Sequence, residues 1–355
     1  MERRFRVIDT GIRDGRRQIA FDQAMIDARK ADAIPDTIRF LRFPPTALVG
    51  RHQALSREIR VDYCRANGVA IARRITGGGA IYFDEGQLGW ELVFNRATLG
   101  IASLGELARV ICEAAATGLR NLGIDARYRP RNDIEVDGRK LSGTGGFFDD
   151  DTLFYQGTVL VDLDATRMTA ALNVAEAKLA KRALDSAAQR VVTLRELLGT
   201  TPSIDAVKRA LVEGFSERLG IVAVDGAITG VEERLAATYH DEEIGTEGFV
   251  FGIDEPAGRE DTQSSTIDGP GGSVAAYVRL EGAPPGRIRD VLITGDFFVT
   301  PPRTIFDLES TLRGVAAPDA GPAVERYFAT ANVGLLSLAP AVFRAAVERA
   351  IAAGR

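Results

Sequence analysis

The chain has 355 residues, 45% hydrophobic and 26% charged, the balance of an ordinary globular protein with room for two domains. A net charge of −5 excludes a general electrostatic grip on nucleic acid or on an anionic membrane, and no apolar run reaches spanning length. Two cysteines, Cys64 and Cys112, exclude a disulfide framework and predict a reducing, cytoplasmic setting.

In chain order, Ile19–Lys30 has the apolar spacing of a helix, Thr37–Phe43 alternates with the period of a strand, and Ala47–Gly50 is its expected neighbour before a turn at Arg51-His52-Gln53. A helix is predicted over Ser56–Ala66 with Ser56 as N-cap, then strands over 69–74, 79–83 and 88–95 and a long helix from Leu104 to Leu122. Residues 125–161 read as short strands broken by turns at Asp137-Gly138 and Thr144-Gly145-Gly146. Helices are expected near 165–172, 174–182, 203–219 and 229–240. Residues 253–272 have the Gly, Pro, Ser and Asp content of a linker. Strand-like runs at 273–280 and 288–298 and helices near 303–313, 321–329 and 339–353 follow. The expected fold class is α+β, a mixed or mostly antiparallel sheet flanked by helices, plus a small C-terminal α+β domain. The expected division is 1–200, a helical connector 201–252, a linker 253–272 and a last unit 273–355.

Two constellations carry chemistry. Residues 73–84, Arg-Arg-Ile-Thr-Gly-Gly-Gly-Ala-Ile-Tyr-Phe-Asp, place three bare glycines between strands, where backbone with positive φ can let a ligand lie on peptide N–H groups. A flexible hairpin is the alternative. Residues 132–146 bring Asn132, Asp133 and Lys140 together across the Asp137-Gly138 hairpin, beside the second glycine-rich stretch, Ser142 to Gly146. The chain holds 44 basic residues, of which only Lys30, Lys140, Lys178, Lys181 and Lys208 are lysines. A lysine in a glycine-rich segment therefore marks a need for a compact point charge. One carboxylate with oxygen neighbours suits Mg²⁺, and the ammonium suits a phosphate or a developing anion. An exposed hairpin with an incidental ion pair is the other reading.

The order Gly50-Arg51-His52-Gln53, Arg73 to Asp84, Asn132-Asp133, Gly138-Arg139-Lys140-Leu-Ser142-Gly143, Gln156-Gly157-Thr158 and Lys178…Lys181…Ser186…Arg190-Val191 resembles the lipoate–protein ligase family. Past the linker, Gly295-Asp296-Phe297-Phe298 resembles that family's accessory domain, fused here to the catalytic unit. The resemblance implies a biotin/lipoate ligase-like catalytic domain that makes lipoyl- or octanoyl-AMP from ATP and the free acid. It then passes the acyl group to a lysine of an acceptor protein domain. It implies ATP and Mg²⁺, with Lys140 catalytic and Asp133 at the metal. Arg51, Arg74, Thr76, Gly77, Gly78, Gly79, Ala80, Asn132, Ser142, Gly143, Thr144, Gln156, Gly157, Thr158, Lys178 and Lys181 are then expected to hold the acyl-adenylate. Ile75, Ala80, Phe147 and Phe148 are expected to wall the acyl tunnel.

Two departures bear on specificity. Many relatives carry histidine where this chain has Gln156, which leaves lipoate and octanoate both open. Asp149-Asp150-Asp151 put three acids near the expected site mouth, where a solvated loop is the simpler reading. Two other activities compete. An octanoyl or lipoyl transferase working from a carrier protein needs a low-pKa thiolate near the lysine, whereas Cys64 and Cys112 both fall in predicted helices among apolar neighbours. A catalytically silent lipoate-binding protein needs neither Lys140 nor Asn132-Asp133. Biotin ligases carry a Gly-Arg-Gly-Arg signature that is missing here.

Overall fold

The computed structural model describes residues 2–101, 103–130, 132–173, 190–256, 261–269, 271–336 and 338–354. The strands of the N-terminal body are β1 (Arg4–Ile12), β2 (Thr37–Arg42), β3 (Thr46–Val49), β4 (Ala70–Arg73), β5 (Ile81–Phe83), β6 (Gln87–Asn95), β7 (Arg127–Arg129), β8 (Asp133–Val136), β9 (Arg139–Asp149), β10 (Thr152–Leu160) and β11 (Val222–Asp225). Eight of them form one sheet in the order β11-β1-β2-β6-β10-β9-β8-β7, and a smaller sheet has the order β4-β3-β5. β11-β1-β2 run parallel and the rest of the large sheet is antiparallel, so the mixed sheet expected from sequence is what forms.

Pleat alternation along β6 sorts the two faces of the large sheet. Leu88, Trp90, Leu92 and Phe94 enter one core with Leu107 and Ile111 of the helix Leu104–Arg120 and Leu211 and Phe215 of the helix Ile204–Leu219. On the opposite face the helix Gly15–Lys30 lays Ile19, Phe21 and Met25 over Leu41, Val93 and Phe154. That helix starts four residues before its apolar pattern does. Asp14 caps it by accepting from the Arg16 and Arg17 amides, so a capping carboxylate overrides the unfavourable Gly15-Arg16-Arg17 start.

Three expectations change. The helix over 56–66 is two short ones, Leu55–Glu58 and Val61–Ala66, and Ser56 lies inside the first rather than capping it. Residues 201–252 are not a spacer. Their helix Ile204–Leu219 completes the first core, β11 pairs with β1, and the Arg6–Glu232 ion pair (2.6 Å) is buried. The linker is shorter than 253–272, because Thr262–Gly269 is a strand, β12, whose polar residues alternate on a half-exposed edge. β12 joins β13 (Gly272–Glu281) and β14 (Arg287–Gly295) in an antiparallel meander. Helices Thr304–Leu312, Ala320–Thr330 and Pro340–Ala352 pack on it around Val278, Ile293, Phe297, Leu308 and Phe343, giving the C-terminal α+β domain its own core. The helix expected over 174–182 lies outside the described residues. Among the described residues no helix is long and apolar enough to cross a membrane.

Candidate active site

β4 and β5 both bond to β3, one parallel and one antiparallel, so residues 74–80 must cross from one edge of the small sheet to the other. Arg74 holds that crossing in shape. Its Nη1 donates to Leu48 O (3.2 Å), and its Nη2 to Gly77 O (3.1 Å) and Gly79 O (2.8 Å). Burial pushes this guanidinium down to about 10. Arg73 is the second strut, donating to the carbonyls of Gly50, Gln53, Phe249, Val250 and Ile253 at 2.8–3.1 Å. It ties the loop to the segment that leads to the C-terminal domain. Burial, then the Arg51 charge, lowers it to about 9.

The glycines have a use that sequence reading did not assign. A Cβ on Gly77 would lie 2.0 Å from Phe297 O, and one on Gly78, whose φ is +89°, would lie 2.5 Å from the Phe298 ring. The Gly78 amide donates to Phe297 O (3.1 Å). Bare backbone is demanded here by the C-terminal domain, and one of the three amides expected to face a ligand is committed to it.

The Asp137-Gly138 hairpin forms as expected, both residues left-handed at φ 50° and 77°. It folds β9 back so that Lys140 Nζ reaches 2.8 Å from Asp133 Oδ1. Arg129 holds Asp133 Oδ2 from the other side (2.5 Å). Burial alone would raise the Asp133 pKa, but Lys140 and Arg129 together keep it below the usual carboxylate range. A Cβ on Gly143 would fall 2.6 Å from Lys140 Nζ, so the missing side chain is the space in which the ammonium lies. Asn132 donates to Thr144 O (2.7 Å) and Val192 N–H to Lys140 O (2.9 Å), fixing both flanks. A preformed Mg²⁺ site at Asp133 does not fit this donor set. Both its oxygens face cations, and among the described residues no three His, Cys, Asp or Glu side chains gather.

Residues 142–146 are strand, not turn. Gly145 accommodates the Phe298 ring (2.2 Å from a Cβ), which lies between Gly78 and Gly145. Pleating turns Ser142 and Thr144 away, Thr144 to Cys112 Sγ (3.3 Å) and Tyr155 OH (2.7 Å) under the helix Leu104–Arg120. Gly157 likewise lies against the Trp90 indole.

The two constellations meet across a cavity of about 670 Å³. Arg74, Gly77, Gly78, Gly79 and Ala80 border it from the small sheet, and Asn132, Asp133, Lys140, Gly143 and Thr144 from the hairpin. Gln156, Gly157 and Thr158 lie between them on β10. Arg51, Thr76 and Ser142 are not on its wall. Arg51 stacks on Phe249 and Phe306, and Thr76 is buried, accepting from Gln156 Nε2 (2.7 Å). Lys178 and Lys181 lie outside the described residues. Of the expected tunnel residues only Ala80 lines the cavity. Ile75, Phe147 and Phe148 are spent in the cores, and Ile19, Leu41, Phe43, Leu48 and Ile81 form the apolar wall instead. The three acids stay at the β9–β10 turn, where Lys30 and Arg96 pair with them. Asp22, Glu91 and Arg129 line the cavity with no signal in the sequence, and Arg190 and Phe298, quoted above only as parts of the resemblance, line it too.

His52 couples site and C-terminal domain. Its ring stacks on Phe297 (5.4 Å, 19°), and its carbonyl accepts from Gly295 N–H (3.0 Å). Burial first, then Arg51 and Arg73, lowers its pKa to about 3. The unfolded chain therefore binds a proton below ~6.5 that the folded chain refuses, so this histidine makes stability fall as pH drops from there toward 3. Between pH 7 and 5, urea unfolding should show about 2 kcal/mol more loss for the parent than for His52→Phe. Equal losses would remove His52 from the interface energetics.

Comparison with known proteins places this geometry. The family model for the lipoyl protein ligase A/B catalytic domain matches residues 14–216. A lipoate-protein ligase A subunit 1 from Thermoplasma acidophilum is 31% identical over 67% of this chain and 92% of its own. An octanoyltransferase LipM from Kyrpidia tusciae is 29% identical over 66% of this chain and 96% of its own. Two solved structures are similar. One comes from a study of a bipartite Thermoplasma acidophilum lipoate protein ligase and its E2 lipoyl domain (TM-score 0.63, 29% identity, 73% of this chain and 100% of that one). The other is a lipoate-protein ligase A bound with ATP (TM-score 0.61, 28% identity, 71% and 100%). The fold, including the C-terminal domain, is also that of P. falciparum LipL1 (TM-score 0.71, 16% identity, 93% and 95%). The chain belongs to the lipoyl protein ligase A/B family.

Proposed function

We propose that the protein is an ATP-dependent ligase that activates lipoate or octanoate as acyl-AMP and transfers the acyl group to a lysine of an acceptor domain. Its two parts are a catalytic unit and an accessory unit beginning near β12. The observation that carries this reading is the Lys140 ammonium, held by Asp133 over Gly143 at the cavity that the triple-glycine loop borders.

In the first step a carboxylate oxygen attacks the α-phosphorus of ATP and pyrophosphate leaves. In the second, the acceptor amine attacks the acyl carbonyl, loses a proton, and the carboxylate–phosphorus oxygen departs with AMP. Negative charge gathers on non-bridging oxygens beside the mixed anhydride in both steps, where a fixed ammonium lowers the barrier without reorganising. Asp133 and Arg129 set where that ammonium points. The Gly77 and Gly79 carbonyls turn to Arg74, and Gly79, the one glycine of the three not pressed on the C-terminal domain, leaves its backbone to the acyl phosphate. The apolar wall takes the acyl chain.

The thiols favour the ligase over a transferase. Cys112 is pushed up to about 11 by burial and Cys64 is raised by burial too, the opposite of an activated nucleophile. Cys64→Ser, Cys112→Ser protein should keep pyrophosphate release driven by ATP with lipoate or octanoate, and should still add the acyl mass to an acceptor domain. Abolition of both with the fold intact would make a thioester the working intermediate.

A further inference from the structure

β9 and β10 pair residue for residue from Asp149–Thr152 to Thr144–Gly157, and the ladder stops there. β10 runs on against β6 as far as the Leu160–Gln87 pair. β9 turns to other partners. The Gly143 amide donates to Thr158 Oγ1 (3.3 Å), and Lys140 bridges to Val191, whose neighbour Val192 donates to the Lys140 carbonyl (2.9 Å). Two side chains meet at the end of the ladder. Lys140 Nζ lies 2.6 Å from where a Gly143 Cβ would be, and Thr158 Oγ1 lies against the amide of that same residue. Both border the cavity.

A hydroxyl has two lone pairs and one proton. Accepting from Gly143 fixes the Thr158 oxygen and leaves its proton unused, and that proton goes to no group of the described residues. Other polar groups on the wall are spent. Thr144 donates to the Asn132 carbonyl (3.0 Å) and Thr169 to the Ala165 carbonyl (2.9 Å). Asp22 and Glu91 are closed by each other and by Arg39, which donates to both (2.6 and 2.8 Å).

Resting on the ligase reading above, we infer that Thr158 is a catalytic residue of the transfer step. Its hydroxyl donates to the acyl carbonyl oxygen of the mixed anhydride, while Lys140 faces the adjoining phosphate. When the acceptor amine attacks the acyl carbon, the carbonyl π pair moves onto that oxygen, and the hydrogen bond strengthens as charge gathers. The carbonyl then re-forms, the acyl carbon–oxygen bond to phosphate breaks, AMP leaves with that electron pair, and the nitrogen loses a proton to water. In the first step the same atom is the carboxylate oxygen that does not attack, and it loses charge as the anhydride forms. A donor there helps transfer and gives adenylation no such help.

Chemically prepared octanoyl-AMP isolates the transfer. At saturation with it, Thr158→Val should acylate an acceptor domain about 10²-fold more slowly than the parent, and Thr158→Ser should return to within about tenfold. Single-turnover formation of acyl-AMP from octanoate and ATP should fall less than about tenfold in Thr158→Val. By calorimetry, octyl-AMP, which lacks the carbonyl oxygen, should bind parent and Thr158→Val alike, whereas the octanoyl sulfamate of adenosine should bind the variant about 5-fold more weakly. Thr158→Ala carries the same comparison where Thr158→Val does not fold. Equal slowing of both steps would reduce Thr158 to a support for Gly143 and overturn the inference, as would transfer within about threefold of the parent. A parent that neither makes nor uses acyl-AMP overturns the ligase reading beneath it.

Discussion

Lys140→Ala should slow acyl-adenylate formation by about 10³-fold, the scale of losing one preorganised charge at a developing oxyanion. Lys140→Arg should recover little of it. The ammonium lies in space that a single Cβ on Gly143 would invade at 2.6 Å, and Asp133 contacts it at 2.8 Å. A planar guanidinium is wider and splits its charge between two donors, so it cannot enter that slot and face both Asp133 and the acyl phosphate. The measurement is single-turnover formation of acyl-AMP with saturating acid and ATP, with thermal unfolding as the control for folding. A Lys140→Arg enzyme within tenfold of the parent would show that any cation suffices and that the slot has no catalytic meaning.

Gly145→Ala should destabilise the fold, and Phe298→Ala should soften the loss. The added methyl would meet the Phe298 ring at 2.2 Å, far inside contact distance, and Phe298 is also pressed on Gly78. Thr300, two residues on, is anchored to the Phe148 backbone, accepting from its N–H (3.0 Å) and donating to its carbonyl (2.8 Å). The backbone that carries the ring is thus held in place, and overpacking of this kind costs about 1–3 kcal/mol. In the Phe298→Ala background the methyl has room. A double-mutant cycle read by urea unfolding should give a coupling of about 1–2 kcal/mol in the direction of rescue. Additive losses would mean that Gly145 is needed for a reason other than the accessory domain.

These two tests rest on different kinds of legibility. The Lys140–Asp133 meeting was readable because a two-residue Asp-Gly hairpin fixes what lies opposite what within a few residues. The flanking strands were readable for the same local reason, since β-branched and aromatic runs alternate around the glycines. Residues 142–146 misled because a run of glycines signals a turn, whereas here they are strand positions over which Lys140 and Phe298 lie. What lies on a glycine comes from 3 to 153 residues away, and nothing in the glycine itself records it. β1 has no legible strand pattern, because Arg4, Arg6 and Asp9 break up its apolar residues, yet Phe5 and Ile8 are buried and Arg6 reaches a buried Glu232. The Asp22–Arg39–Glu91 cluster had no local signature at all. Its members are 17 and 52 positions apart and meet only once the sheet and the helix Gly15–Lys30 are stacked. The expected tunnel phenylalanines failed for the converse reason, because nearness in sequence to Lys140 does not set a pleat, and Phe147 and Phe148 face the two cores on either side of the sheet.

The route of one oxygen atom decides whether this cavity makes an adenylate. Octanoate labelled with ¹⁸O in its carboxyl group should be incubated with the enzyme, ATP and an acceptor domain, and the released AMP weighed. Attack of the carboxylate on the α-phosphorus, followed by loss of that oxygen from the acyl carbon, predicts one ¹⁸O in each AMP formed with each acylated lysine. Acylated acceptor accompanied by unlabelled AMP, or by no AMP, would contradict it.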